Sequence, residues 1–137
     1  MINGINSREM ILEILLEIEE GEHSHVAIRN ALSKYQFLPK QDRAFITRVC
    51  EGTLEYRIQI DYIINSFSKV TVDKMKPAIR EILRSAVYQL KYMDSVPDSA
   101  VCNEAVKLAQ RKGFYNLKPF VNGVLRTIAR EMDQRCV

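Results

Sequence analysis

The chain has 137 residues, 47% of them hydrophobic and 27% charged, with 20 Lys+Arg against 17 Asp+Glu for a net charge of +3. A chain of this length buries enough surface to form one globular domain without disulfide or metal staples, which excludes a mini-protein and a complete two-domain enzyme. No apolar run exceeds three residues, as in Ile14-Leu15-Leu16, whereas a membrane span needs about 20 and a secretory signal core at least about 7, so a cytoplasmic protein with no membrane partner is expected.

Helical periodicity runs through every long segment, and β-branched alternation over five or more residues is absent. The first predicted helix opens at Asn6 or Ser7, either of which is a good N-cap, carries Met10, Ile11, Ile14, Leu15 and Ile18 on one stripe, and stops at Gly21. A second stripe follows Ser24 through Val26, Ile28, Ala31, Leu32 and Tyr35, closing before Phe37-Leu38-Pro39. Residues 40–55 give a third helix with Ala44, Phe45, Val49 and Gly52 facing inward. A fourth spans Ile58 to Phe67 with Tyr62, Ile63 and Phe67 on its stripe, and the run Val70-Thr71-Val72 after it is too short for a strand.

Pro77 suits the first turn of a fifth helix, whose stripe of Ile79, Ile82, Leu83, Ala86, Val87 and Leu90 is the cleanest in the chain and marks it as the central, buried element. Asp94-Ser95-Val96-Pro97 reads as a stop and a proline-led restart. Ala100, Val101, Ala105, Leu108 and Ala109 then lead to Gly113. The last helix starts between Asn116 and Pro119 and carries Phe120, Val121, Val124, Leu125, Ile128 and Ala129. The expected fold class is all-α, seven helices joined by loops short enough for antiparallel packing.

The constellations that catalysis needs are missing from this pattern. The five glycines stand alone at positions 4, 21, 52, 113 and 123, so no phosphate cradle is formed and no cofactor is expected in this domain. His23 and His25 are two apart, a spacing that points side chains apart on a helix, and no metal site is expected. Cys50, Cys102 and Cys136 are odd in number, far apart and without a histidine or proline neighbour, which reads as reduced, buried thiols. Glu19-Glu20 reads as solvated helix surface.

Charge is unevenly spread. Residues 1–22 hold six glutamates and the single base Arg8, leaving 19 bases against 11 acids, a net +8, in residues 23–137. Three basic pairs have i,i+4 spacing: Arg80 with Arg84, Lys107 with Arg111, and Arg126 with Arg130. That spacing aligns cations on one face, where an anionic partner relieves their repulsion. Lys107, Arg111, Lys112, Lys118, Arg126 and Arg130 fall within the last two helices and form a candidate phosphate-binding surface. Asn122-Gly123 interrupts a strong helix, where glycine costs about 1 kcal/mol relative to alanine, so Gly123 is expected at a close helix crossing and Asn122 in a buried amide hydrogen bond.

Six strings occur in order: Asp42-Arg43-Ala44-Phe45, Glu51-Gly52-Thr53-Leu54, Ile82 to Leu90 around Tyr88-Gln89, Val96-Pro97, Asn103-Glu104-Ala105-Val106, and Phe120-Val121-Asn122-Gly123-Val124-Leu125-Arg126. Together they resemble the NusB-like RNA-binding domain over nearly the whole chain, from about Arg8 to Glu131. Within that superfamily the chain is more similar to the N-terminal domain of the RsmB (Sun) family of 16S rRNA cytosine-C5 methyltransferases than to free-standing antitermination factors. Asp42-Arg43-Ala44-Phe45 followed by Gly52-Thr53-Leu54-Glu55-Tyr56-Arg57, and the arginine at position 126, where an acid is usual, carry that preference.

The resemblance implies two packed helical sub-bundles in which Asp42, Arg43, Gly52, Gln89, Pro97, Asn103, Glu104, Asn122 and Gly123 carry the structural pattern. It implies RNA, with 16S rRNA foremost, as the partner, no DNA, and residues 1–137 as one domain at the N-terminus of a longer methyltransferase. The S-adenosylmethionine site and the cysteine beside a proline belong to the catalytic domain that follows in that family. Free NusB proteins begin with a cluster of arginines and pair with a ribosomal protein, whereas Arg8 stands alone amid glutamates here. Three functional readings result: an RNA-binding, non-catalytic domain serving an attached methyltransferase, a free antitermination factor, and a packing module that touches no RNA.

Overall fold

Seven α-helices and two 3₁₀ turns form among residues 6–135, which the computed structural model describes, and these residues contain no strand. The helices are α1 (Ser7–Glu19), α2 (Ser24–Lys34), α3 (Lys40–Glu55), α4 (Arg57–Phe67), α5 (Pro77–Tyr92), α6 (Asp98–Arg111) and α7 (Lys118–Arg135). The 3₁₀ turns, Val72–Lys74 and Tyr115–Leu117, precede α5 and α7. Local chemistry sets the boundaries. Asn6 caps α1, its side chain accepting from the Glu9 amide at 2.8 Å. Gly21 and Gly113 stop α1 and α6 at φ of +116° and +89°, each followed by an amide that reaches back five residues, Glu22 to Glu17 and Phe114 to Ala109.

The expected centrality of α5 holds. It packs against α1 and α3 on one side and against α4, α6 and α7 on the other, so two sub-bundles share it. Enclosure buries more than its apolar stripe, because Glu81, Arg84, Ser85 and Gln89 are buried as well. Each is satisfied internally, as a buried polar group must be. Ser85 donates to the Glu81 carbonyl at 2.9 Å, and Gln89 donates to the Ser85 carbonyl at 3.1 Å while accepting from Arg8 Nε at 3.1 Å. Thr53 is the exception, its buried hydroxyl having no hydrogen-bond partner among the described residues.

Arg84 grips Asp61 of α4 with two 2.8 Å bonds and Glu81 with one of 2.6 Å, while Arg80 pairs with Glu19 of α1. The i,i+4 repulsion expected at Arg80 and Arg84 is thus relieved by the protein's own acids, and Glu19, on the exposed surface of α1 as expected, is one of them. Three carboxylates face two guanidinium groups in this cluster, leaving one excess negative charge. Burial, and then the hydrogen bond shared with the Glu19 carboxyl, raise Glu81 to about 8, while against its own partial burial that same hydrogen bond, then the hydrogen bond and charge of Arg80 and the charge of Arg84, hold Glu19 below the usual range.

Four further expectations need correction. Ala44 is exposed, because Ile46, Val49, Cys50 and Thr53 set the phase of α3. Tyr62 is 74% exposed, because Ile60 and Ile64 set that of α4. Gly123 is exposed and meets no atom within 4 Å of where a Cβ would lie, since Val121, Val124, Leu125 and Ile128 form the buried stripe of α7. The close approach lies at Gly52 instead, where a Cβ would fall inside the Tyr88 ring. His23 and His25 do not point apart, because His23 is the extended N-cap of α2 and its ring stacks on His25 at 6.1 Å.

Two glycine substitutions should therefore move stability in opposite directions. Gly52→Ala should destabilise by about 1–3 kcal/mol through overpacking against Tyr88, and Gly123→Ala should stabilise by about 0.5–1 kcal/mol through helix propensity. Urea unfolding of both variants measures this, and equal signs would contradict the packing. The ion cluster has a pH signature. Because folding raises the pKa of Glu81, its contribution is complete below its ordinary value of 4.5 and is lost as pH rises through about 8. Glu81→Gln removes that loss, so the midpoint of thermal unfolding relative to wild type should climb between pH 5.5 and pH 8.5, and a constant difference would count against a shared proton.

Candidate functional site

The basic face named from the sequence lies on α6 and α7, which pack directly on each other. Arg126 is at its centre. Its Nη2 donates to Asn103 Oδ1 of α6 at 2.8 Å and its Nε to Asn122 Oδ1 at 3.1 Å, so two amides fix the guanidinium without cancelling its charge. Asn122 thus serves this side chain rather than the core. Arg130 is exposed one turn further on and has no ion pair among the described residues.

The other cations are tied differently. Lys107 is 65% exposed and 3.3 Å from Glu104. Arg111 and Lys112 both reach Glu9 of α1, at 3.5 and 3.4 Å. Lys118 donates to Gln110 at 2.7 Å, and its ammonium sits 4.6 Å from the centre of the Tyr115 ring, which is 68% exposed. The six named cations therefore lie on or beside one helix pair but divide into three balanced by Glu9 and Glu104 and three without an acid among the described residues.

Two contributors escaped sequence reasoning. Tyr115 is an exposed aromatic three residues before a lysine, in a short turn between helices; that spacing was the available signal. Arg8, singled out as a lone base amid acids, is half-buried with its guanidinium 5.2 Å from the Phe45 ring centre, and the charge of Glu104 opposes the cost of its burial. No short-range motif announces that placement. The pattern residues act as scaffold: Pro97 precedes α6, Asp42 sits in the first turn of α3, and Arg43 donates to the Leu32 carbonyl at 2.8 Å at the end of α2.

Nucleophilic chemistry finds no support among the described residues. Cys50 and Cys102 are buried free thiols whose pKa values burial pushes up, the wrong direction for a thiolate. Cys136 lies outside the described residues. No group of three or more His, Cys, Asp or Glu among the described residues is placed to hold a metal ion, and no helix is long and apolar enough to cross a membrane.

The chain is 35% identical over 124 residues to the probable ribosomal RNA small subunit methyltransferase B of Bacillus subtilis strain 168, covering 90% of this chain but only 28% of that protein's length. It is 33% identical over 128 residues to the transcription antitermination protein NusB of Bacillus velezensis, covering 93% of this chain and 95% of that protein. A crystal structure of antitermination factors NusB and NusE in complex with dsRNA superposes with a TM-score of 0.83 at 21% identity, covering 91% of this chain and 94% of that one. The model of the NusB family matches residues 5–130, and this chain belongs to that family.

Proposed function

We propose that this chain is an RNA-binding, non-catalytic domain whose α6–α7 face holds backbone phosphates, and that it brings an attached cytosine-C5 methyltransferase domain to 16S rRNA. The observation that carries the reading is Arg126, a cation oriented by two amides instead of a carboxylate and followed one turn on by the exposed Arg130. Guanidinium groups bind phosphate strongly when pre-oriented and uncancelled. Phosphate contacts of this kind position an RNA and supply no chemistry. Exposed Tyr115 beside Lys118 adds a stacking surface of the kind that accepts unpaired bases.

The methyltransferase assignment draws on the run Gly52 to Arg57 and on Arg126, and on relatives of which this chain spans little more than a quarter. A second reading, a free antitermination factor working with a ribosomal protein, is favoured by one specific observation, the end-to-end match with NusB of Bacillus velezensis.

Binding of a 16S rRNA fragment should be salt-sensitive, each phosphate contact on a single strand contributing about −0.7 to the slope of log affinity against log salt. Arg126→Ala combined with Arg130→Ala should weaken binding and flatten the slope by roughly one unit. Arg29→Ala, an exposed cation on α2, is the control and should change neither. No binding at about 50 mM salt, or a double variant that keeps affinity and slope, would reject the RNA reading. To separate the two roles, the coding region for these residues is deleted in the source organism. Loss of one 16S rRNA 5-methylcytidine supports the methyltransferase role, and an intact methylation map with failed antitermination supports the other.

A further inference from the structure

A second charged surface lies on α3, away from α6 and α7, with which α3 makes no helix packing. An open cleft of about 610 Å³ runs along α3 from Lys40 to Glu55, with Gly52 and Tyr88 at its floor and Leu32 of α2 at its wall. Its charges are polarised: Lys40, Arg43 and Arg48 occupy the N-terminal part, and Glu51 and Glu55 the C-terminal part. Lys40 in the first turn and Glu55 in the last run against the helix dipole, which favours acids at the start and bases at the end, while Asp42 in the first turn follows it. The dipole therefore does not account for Lys40 and Glu55.

Pairing does not account for them either. Arg48 and Glu51 are three residues apart, a spacing at which ion pairs form, yet none of these five charged groups has an ion pair among the described residues. Arg48 instead donates through Nη2 to the Tyr92 carbonyl at 2.9 Å, and Arg43 to the Leu32 and Tyr35 carbonyls at 2.8 and 3.3 Å. Both guanidinium groups are thus held in place without an acid. Tyr88 packs with Tyr92 and Tyr56 into an aromatic cluster, ring centres 5.3 and 4.5 Å apart along it, and Tyr56, next to Glu55, is 37% exposed.

We propose that this cleft binds one unpaired nucleotide, its phosphate at Arg48 and the exocyclic amine of its base at Glu51 or Glu55. The chemistry matches end for end. Fixed cations suit phosphate, and carboxylates accept from the amine of cytosine or adenine, while the buried Tyr88 lines the cleft without a free ring face. From Arg48 to Glu55 the helix rises about 10 Å, the reach of a single nucleotide. The cleft is open rather than enclosed, as a nucleotide still joined to its strand requires. The inference rests on the RNA-binding reading and gives that reading a second, base-selective contact.

Amide chemical shifts of the ¹⁵N-labelled domain test it, with single-stranded hexacytidylate, hexauridylate, cytidine monophosphate and inorganic phosphate as probes. Hexacytidylate should shift the Arg48, Glu51 and Gly52 amides and bind about fivefold or more tighter than hexauridylate, which lacks the amine. Glu51→Gln with Glu55→Gln should erase that preference while binding persists, and Arg48→Ala should weaken both oligomers. These side chains are exposed, and circular dichroism of each variant checks that the fold is retained without the Arg48 bond to the Tyr92 carbonyl. Shifts by the monophosphate equal to those by the hexamer point to a free nucleotide, and shifts by the hexamer alone to RNA; either supports a nucleotide site. Equal affinity for the two hexamers, or saturation by inorganic phosphate alone, overturns it. Should RNA shift only α6–α7 amides, this inference fails while the RNA-binding function stands; should RNA shift nothing, both fail.

Discussion

A helix enclosed on every side cannot turn its polar residues to water, and α5 is such a helix. Glu81, Arg84, Ser85 and Gln89 are all buried on it, so each must find a partner on a neighbour or on α5 itself. Asp61 on α4, Glu19 on α1 and Arg8 on α1 supply those partners. The result constrains the whole domain, because the bidentate grip of Arg84 on Asp61 fixes α4 against α5, while Arg80 and Gln89 fix two different turns of α1. Burying ion pairs yields little net stability, since desolvation offsets most of the attraction. Their geometric demand is strict, however, and a slip of α1 or α4 by one turn would leave a charge unpaired in the core.

That demand sorts the basic residues of the chain. Arg8, Arg43, Arg48, Arg80 and Arg84 hold backbone carbonyls, side-chain amides or acids and so belong in part to the scaffold. Lysines do little of this, as their compact ammonium lacks the fork that lets one arginine serve two or three acceptors. The net charge of +3 therefore says little about where a polyanion would be held. What matters is which cations remain uncancelled after the scaffold has been satisfied, and on the α6–α7 face, among the described residues, these are Lys118, Arg126 and Arg130.

Sequence made the helices legible because their apolar stripes are long and their stops are chemically distinct, as at Asn6, Gly21, Pro77 and Gly113. Facing was legible only where large aliphatic residues set the phase. It failed at Ala44, Tyr62 and Gly123, where a small or amphipathic residue carries little weight against the isoleucines and valines that decide the rotation. That the candidate cations fall on or beside one helix pair is legible from their positions, but their partners are not. The Glu9 that balances Arg111 and Lys112 is 102 residues away from Arg111, and the Asn103 that steers Arg126 is 23 away. Contacts at such separations are products of the fold and leave no local spacing to read.

Those partners make the basic face uneven. A phosphate approaching Arg111 or Lys112 must compete with the Glu9 carboxylate, so part of its attraction is spent on breaking or sharing existing pairs. At Arg126 the partners are amide oxygens, which orient the guanidinium but carry no charge, and the incoming phosphate meets a full positive charge already fixed in direction. Replacing Asn103 with an aspartate would keep the geometry and cancel that field. The choice of amide over carboxylate at this one position thus separates a cation that fastens α7 to α6 from one that fastens α7 to α6 and still has its charge to offer.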